Sequence, residues 1–199
     1  MNDFDERVKN YYNTVWEATT SYFKLIDYNM IGEVDINDKD VLNLGCGFPI
    51  DEIKYFNVVK SWTAIDFSEG IIDKCNEIFI SDKLKFVFGD IRDMPFLDES
   101  FDVVLSFSTI DHVHDNRKKV HSEVRRVLRK NGFYLITVPN FLFFEVKEVT
   151  DFGYEYRYTP KELKDELEEE KFINIKFFFS GSTNNNFGEK IGYICQRDE

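Results

Sequence analysis

The sequence predicts an α/β fold in which helices cover both faces of a doubly wound, mainly parallel sheet. Three observations support this prediction. Short apolar runs that suit buried strands alternate with helical patterns along most of the chain. These runs are apolar nearly throughout, as expected for parallel strands that are covered on both faces. The final two runs are joined only by a turn-rich loop, so they must pair antiparallel or leave the sheet.

Chain length and composition favour one domain with a sizeable core. The chain has 199 residues, 43% of them hydrophobic and 31% charged, so it is expected to fold. We expect a single domain over residues 1–199, made of a helical N-terminal lid at 1–32 and an α/β core at 38–198. Apolar residues from Val8 to Ile26 recur in steps of three and four, which predicts one long helix or two with a break between them.

The core is predicted to form a seven-stranded, mainly parallel sheet with an antiparallel last strand, preceded by the N-terminal helices. Thr159 supplies an N-cap, Pro160 the first helical position and Glu162 the third, which marks the start of the last helix. In chain order we predict a strand at 41–44, a helix at about 50–58, a strand at 62–65, a helix around 71–79, strands at 84–88 and 101–107, a basic helix with Val120, Val124, Val127 and Leu128 inward, a strand at 133–138, a helix at 160–171, and strands at 173–179 and 191–195.

Glycines or an acid follow each of the first three predicted strands. Gly45 and Gly47 come directly after the first strand, where glycines let a ligand approach the backbone closely. Asp66 ends the second strand, where folds of this kind place a carboxylate that accepts ribose hydroxyls. Asp90 ends the third strand, where it can accept from an adenine amino group, with Ile91 packing on the ring. A helix cap at Asp66 and a simple turn at Asp90 are the structural alternatives.

The glycine loop is poorly suited to a dinucleotide. A pyrophosphate site requires the pattern GxGxxG, in which the third glycine allows close packing of helix and strand. The sequence has Ile50 at that position, preceded by Pro49. S-adenosylmethionine carries no phosphate, and it needs ribose and adenine contacts together with a place for its methionine group. The pattern therefore favours an adenosyl cofactor of that kind over a nicotinamide dinucleotide.

Several motifs, in the right order over roughly residues 38–198, resemble class I S-adenosylmethionine-dependent methyltransferases, in particular the small-molecule branch often called methyltransferase type 11. The sequence departs from the family pattern at Pro49, where a third glycine is usual, and at Asp111-His112, where the branch often has Glu-His or His-His. The resembling segments are 41–47 for motif I, 64–68 for the acidic segment after it, 89–96 for the end of the third strand, 100–113 for the fourth-strand block, 128–133 for the block before the fifth strand, and 158–172 for the late helix.

This resemblance implies a Rossmann-like fold and an enzyme that uses S-adenosyl-L-methionine to methylate an oxygen or nitrogen atom of a small molecule. Tyr11 and Tyr12 resemble N-terminal tyrosines that touch the methionine part of the cofactor in this branch. Plain core packing of the amphipathic N-terminal helix is the alternative for these rings. The candidate cofactor-binding residues are Gly45, Cys46, Gly47, Asp66, Phe67, Asp90, Ile91, Ser106 and Tyr11.

Two residues after the fourth strand are candidates for proton transfer. A neutral methyl acceptor needs a group that takes up its proton, and an imidazole titrates near neutrality. His112 is therefore the candidate general base, and the neighbouring Asp111 is the second catalytic candidate. A purely structural role for His112 in its loop is the alternative. An acceptor that is already an anion or a free amine would need no base.

Charge and composition limit the classes of partner. The formal net charge of −12 disfavours nucleic acid, and the basic residues between Arg117 and Lys130 recur at a spacing typical of a solvated helix face. Aromatic residues between 141 and 158 favour an apolar or aromatic small acceptor. The charged N-terminus and the lack of a long apolar segment predict a cytoplasmic protein without a membrane span. Three dispersed cysteines indicate neither a zinc site nor disulfides.

Two rival classes stay open at this point. One is a nicotinamide-dependent oxidoreductase on the same fold, against which both Ile50 and Asp90 argue. The other is a non-catalytic partner subunit that binds the cofactor or has lost it. Intact glycines and acids at the strand ends argue against lost binding, but they do not prove turnover. The sequence leaves the acceptor and the oligomeric state undetermined.

Overall fold

The described part of the chain alternates strands and helices in the predicted order. A computed structural model describes residues 25–49, 52–145, 147–149, 154–179 and 188–199. Its strands are β1 (Asp40–Leu44), β2 (Ser61–Asp66), β3 (Leu84–Phe88), β4 (Phe101–Phe107), β5 (Leu128–Pro139), β6 (Glu148–Val149), β7 (Glu155–Tyr156), β8 (Phe172–Phe179) and β9 (Lys190–Arg197). Its α-helices are α1 (Leu25–Ile31), α2 (Glu69–Ile78), α3 (Arg117–Val127), α4 (Phe141–Phe144) and α5 (Pro160–Glu169).

Seven strands form one sheet in the order β3-β2-β1-β4-β5-β9-β8. The first five pair in parallel, with β1 at the centre between β2 and β4. Strand β9 runs antiparallel to both of its neighbours, β5 and β8. The predicted doubly wound fold, its seven-stranded sheet and its antiparallel last strand are therefore confirmed. Because β1 to β5 are parallel, their carboxyl ends all meet at one edge, which we call the carboxyl edge.

Side chains alternate across the sheet and build one hydrophobic core on each face. On one face, Leu42 and Leu44 of β1 pack with apolar residues of α3 and α5. On the other face, Val41 packs with residues of α1 and α2. All five residues of β1 are buried, as expected for a central strand that is covered on both sides. No helix in the described residues is long and apolar enough to span a bilayer.

A polar network ties the amino ends of the central strands together. The Asp40 carboxylate accepts from the Ser61 hydroxyl at 2.7 Å and from the Lys60 ammonium at 2.8 Å. Arg129 bridges Asp40 and Asp102 at 3.0 and 2.8 Å, and the Asp40 amide donates to Asp102. These contacts lie at the edge opposite the strand ends that carry the candidate site, so the two edges have separate polar networks.

Several predicted bounds are wrong. The helix expected at about 50–58 is only a 3-10 helix at Glu52–Tyr55 in the described residues. The fifth strand begins at Leu128 rather than at residue 133, because Leu128 pairs with Phe101 before a register shift. The hairpin of β6 and β7 was not predicted, since each of its strands has only two residues. The expected N-terminal helical stripe, including Tyr11, lies outside the described residues except for its end in α1.

Candidate active site

The carboxyl edge holds a cleft above the ends of β1 to β4, with a cavity volume of about 120 Å³. A concave site at the carboxyl ends of parallel strands is where open α/β sheets bind their ligands. The chain turns away from the sheet after each strand, and it leaves one acid at the end of β2 and another after β3. The cleft is lined by Gly45, Gly47, Asp66, Phe67, Ile71, Gly89, Asp90, Ile91, Arg92, Ser108, Thr109, His112 and Val113.

The loop after β1 adopts a backbone that favours glycine. Gly45 and Gly47 have φ angles of +57° and +50°, in the left-handed region. The Gly45 amide donates to the Ile65 carbonyl at 2.8 Å, which holds the loop against β2. A Cβ atom on Gly45 would lie 2.7 Å from Oγ1 and 3.0 Å from Cβ of Thr109, whereas a Cβ on Gly47 would meet no atom within 4 Å. The loop is thus packed tightly against Thr109 at Gly45, and it is open to the cleft at Gly47.

Asp66 joins the glycine loop to the end of β2. Its Oδ2 accepts from the Gly47 amide at 3.0 Å, and its Oδ1 accepts from the Ser68 amide at 2.9 Å. Burial raises the pKa of the Asp66 carboxyl above its ordinary value, although the hydrogen bonds from the Ser68, Gly47 and Phe67 amides oppose this rise. A carboxylate has about four acceptor positions, so these three amide donors leave capacity for a ribose hydroxyl.

Asp90 is paired with a cation that the sequence analysis did not single out. Arg92 donates from Nη2 to Oδ2 at 2.7 Å and from Nε to both oxygens at 3.0 Å, while its amide donates to Oδ1 at 2.8 Å. Burial raises the pKa of Asp90, but the hydrogen bonds and charge of Arg92 outweigh burial and hold this pKa below its ordinary value. Asp90 is therefore an ionised acceptor. It follows β3, whereas Gly45 follows β1, so the two residues lie at opposite sides of the cleft.

Two of the predicted cofactor contacts do not line the cleft. The Cys46 side chain is buried in the core beside α2, so only its backbone belongs to the loop. Ser106 is fully buried, because it lies on the same sheet face as Val104, under the helices, before β4 ends. Ser108 and Thr109, which follow the end of the strand, take its place. Tyr11 lies outside the described residues, and the other predicted cofactor-binding residues all line the cleft.

His112 lies on a 3-10 helix at Ile110–His112, directly after β4. Its Nδ1 is 2.7 Å from the backbone carbonyl oxygen of Tyr154. A carbonyl oxygen can only accept, so Nδ1 carries a proton and Nε2 is the basic nitrogen of the neutral ring. Nε2 lies 3.4 Å from Oδ2 of Asp111. With Nδ1 engaged by Tyr154, Nε2 is therefore the ring nitrogen that lies beside Asp111.

Asp111 is a buried acid with few donors around it. Its side chain is 1% exposed, and neither carboxylate oxygen has a hydrogen-bond donor in the described structure. Burial raises the pKa of Asp111 above its ordinary value, while His112 and Lys190 act in the opposite direction and Glu155 adds to the rise. The predicted pair of catalytic candidates is therefore a coupled unit in which Asp111 itself is hidden from the cleft.

We expect Asp111→Asn to stabilise the protein by about 1–3 kcal/mol at pH 8. The folded state holds the Asp111 proton more tightly than the unfolded chain. Stability is therefore lost as the pH rises from the ordinary carboxyl range through the raised pKa. An asparagine carries no such charge and can donate to Nε2 of His112.

Denaturant unfolding at pH 4 and pH 8 measures this effect, which is expected to be small at pH 4. Asp115→Asn, at an exposed residue of the same loop, is the matched control and is expected to show little difference at either pH. Equal stability of Asp111→Asn and the unmodified protein at both pH values would contradict a raised pKa of Asp111 in the folded state.

The aromatic residues after β5 mostly serve packing. Tyr154 and Tyr158 are 3% and 0% exposed, so their rings are not available to an acceptor. Tyr156 is half-buried and packs edge to face against Tyr158, with 4.8 Å between the ring centroids. The expectation that aromatic residues between 141 and 158 favour an apolar or aromatic acceptor therefore gains no support from Tyr154 and Tyr158.

Sequence comparisons place the glycine loop and the acids inside one domain type. Residues 42–136 match the family model described as a methyltransferase domain. A fatty-acid O-methyltransferase from Mycolicibacterium smegmatis is 30% identical over 112 residues, which are 55% of this chain and 40% of that protein. A sterol 24-C-methyltransferase from Gibberella zeae is 37% identical over 100 residues, which are 47% of this chain and 26% of that protein. The chain thus spans about two fifths or less of these curated relatives.

A structural comparison supports the same architecture over most of the chain. A crystal structure of an S-adenosylmethionine-dependent methyltransferase from Mesorhizobium loti matches with a TM-score of 0.75. The match covers 92% of this chain and all of that one, with 11% sequence identity. At this identity the likeness concerns the fold, which is the Rossmann-like arrangement that the sequence predicts.

Proposed function

We propose that this chain is a class I S-adenosylmethionine-dependent methyltransferase that transfers a methyl group to an oxygen or nitrogen atom of a small apolar molecule. The observation that carries this proposal is the convergence of Gly45, Asp66 and Asp90 on one cleft. The fold by itself would not suffice, because one fold supports many chemistries. The arrangement of these side chains is what matches one adenosyl group.

The residues of the cleft fit the cofactor by chemistry. Asp66 retains acceptor capacity for a ribose hydroxyl beyond the amides that it already binds, and the ionised Asp90, beside Arg92, is proposed to accept from the adenine amino group. Ile91 and Val113 line the cleft and supply apolar surface for the flat base. The open space above Gly47 leaves room for a ligand close to the backbone.

The cofactor, when bound, supplies an activated methyl group, so the protein's part is orientation, exclusion of water and proton transfer. Asp66 and the glycine loop orient the ribose end, and His112 lies at the cleft beyond the end of β4. Nε2 of His112 is the atom that would take up a proton from a neutral acceptor, with Asp111 sharing that proton. His112 is therefore proposed as the general base and Asp111 as its partner.

The nature of the acceptor is inferred from charge and from the relatives. The net charge of −12 disfavours polyanions such as nucleic acid. The matched relatives act, by their names, on a fatty acid and on a sterol, which supports an apolar acceptor. The sterol relative methylates carbon, so carbon is the alternative acceptor atom.

Thermal unfolding with and without ligands tests the cofactor assignment. With S-adenosylhomocysteine at 100 times its dissociation constant, we expect the melting temperature to rise by roughly 5–10 °C. NAD at the same concentration is the control and is expected to cause no shift. A shift with NAD and none with S-adenosylhomocysteine would favour an oxidoreductase instead. Binding without methyl transfer to any fatty acid, sterol or phenol in a panel would favour a non-catalytic partner subunit.

A further inference from the structure

Arg117 occupies a position where a helix disfavours a cation. It is the first residue of α3, and it is followed by Lys118 and Lys119 with no acid in the first turn. The positive end of the helix dipole lies there, so a cation is unfavourable by about 0.3–1 kcal/mol. Local helix chemistry therefore gives no reason for Arg117. A residue that breaks a local rule usually has a role in tertiary structure or function.

The Arg117 side chain reaches away from its helix to the segment that carries β7. Its guanidinium carbon lies 3.8 Å from the centroid of the Tyr156 ring, which is a close cation–π distance. Nη1 donates to the Tyr154 hydroxyl at 2.9 Å and to the Val113 carbonyl at 3.4 Å. Arg117 thus contacts two tyrosines of the hairpin and the loop that carries His112 at the same time.

The hairpin of β6 and β7 depends on such contacts. Among the described residues, its pairing joins Glu148 with Tyr156 and Val149 with Glu155, and the Arg157 amide donates to the Lys147 carbonyl beside them. A two-stranded hairpin is marginal in water even when it is longer. The Tyr154 residue directly before β7 supplies the carbonyl that receives the Nδ1 proton of His112. Anything that holds this part of the hairpin in place also holds that carbonyl.

We propose that Arg117 is a positioning residue that clamps the hairpin against the loop after β4, so that the Tyr154 carbonyl fixes the Nδ1–H tautomer of His112 and keeps Nε2 as the basic nitrogen. This inference rests on the proposed function, because His112 matters to catalysis only if the chain transfers methyl groups to a neutral acceptor. The positioning itself is a property of the folded chain and can be measured without any acceptor.

The clamp requires an arginine rather than any cation. A guanidinium is flat, so it can lie on the Tyr156 ring while its edge donates to the Tyr154 hydroxyl and the Val113 carbonyl. A lysine ammonium in Arg117→Lys keeps the charge but cannot make these contacts together. Tyr154→Phe keeps the ring and the backbone carbonyl, and it removes the hydroxyl that accepts from Arg117. The two variants therefore weaken the clamp from opposite sides.

Nitrogen-15 NMR of the histidine rings provides the test. The chain has three histidines, His112, His114 and His121, so two-bond proton–nitrogen spectra can be assigned by single substitutions. In the unmodified protein we expect the neutral ring of His112 to carry its proton on Nδ1, with Nε2 bare. In R117K and Y154F we expect a second population in which Nδ1 is bare. The signals of His121 are expected to stay unchanged in both variants.

Lys118→Met is the matched control, because Lys118 is the neighbouring basic residue and pairs with Glu169 on α5 instead of contacting the hairpin. Its His112 spectrum is expected to match that of the unmodified protein. If Nδ1 of His112 remains fully protonated in Y154F, whose ring is retained and which we expect to fold, the proposal is overturned. A shift in Lys118→Met as large as in R117K would overturn it as well. If the unmodified protein does not bind S-adenosylhomocysteine, that result contradicts the proposed function and does not affect the positioning role of Arg117.

Discussion

Asp66→Ala is expected to weaken the binding of S-adenosylhomocysteine by roughly 10- to 150-fold, since a hydrogen bond to a charged group contributes about 1.5–3 kcal/mol. The Asp66 carboxylate is proposed to accept the ribose hydroxyls, and it also holds the Gly47 and Ser68 amides. Removing it takes away the ribose contact and loosens the loop below the cofactor. Isothermal calorimetry measures the affinity, and circular dichroism shows whether the fold persists.

The pH dependence of binding sharpens this test. Burial raises the pKa of Asp66, and a protonated carboxyl is a weaker acceptor than a carboxylate. The affinity of the unmodified protein should therefore fall as the pH is lowered through this raised pKa. Asp66→Asn carries no proton that titrates there, and its affinity should stay flat over the same range. Glu69→Ala, at an exposed residue of the next turn, is the control. An unchanged affinity in Asp66→Ala would refute the ribose assignment.

Gly45→Ala is expected to destabilise the protein by roughly 3–5 kcal/mol, which lowers the melting temperature by roughly 6–20 °C. Part of this loss is the strain of a left-handed backbone with a side chain. The rest arises because the new methyl group collides with Thr109. Thr109 cannot turn away freely, since its hydroxyl donates to the Leu44 carbonyl at 2.9 Å. Binding of S-adenosylhomocysteine should weaken as well, because the loop has to shift.

Gly47→Ala is the matched control for this prediction. Its backbone is also left-handed, but the added methyl group would meet no atom within 4 Å. Only the backbone strain remains, so we expect a loss of about 1–2 kcal/mol. Thermal and urea unfolding of both variants in the absence of ligand separate the two effects. Equal losses for the two variants would show that Thr109 does not restrict the position of Gly45.

The strand ends could be predicted because parallel strands share one direction. Apolar runs located β1, β2 and β3, and the residue after each run then had to lie at the same edge of the sheet. This geometry brought Asp66 and Asp90 into one cleft without any knowledge of distant contacts. The capping pattern at Thr159 was equally local, and the structure confirms both halves of the capping box.

Most of the errors concern features that depend on the tertiary structure, and one concerns a local contact. Ser106 was misplaced because the sequence shows where β4 runs but not which face each side chain takes at its end. Arg92 was missed because its bond to Asp90 depends on the turn after β3, although a cation two residues after an acid was the available signal. The tautomer of His112 could not be predicted, since it is set by a carbonyl 42 residues away. The burial of Tyr154 and Tyr158 could not be predicted, because the presence of aromatic residues in a segment does not reveal which of them are buried.

A crystal structure with bound S-adenosylhomocysteine tests the arrangement of the cleft most directly. We predict that the ribose hydroxyls lie within hydrogen-bond distance of Asp66, that the adenine amino group faces Asp90, and that the homocysteine chain passes over Gly47. A ligand bound elsewhere, with the Asp66 carboxylate engaged only by backbone amides of the protein, would contradict the proposed site.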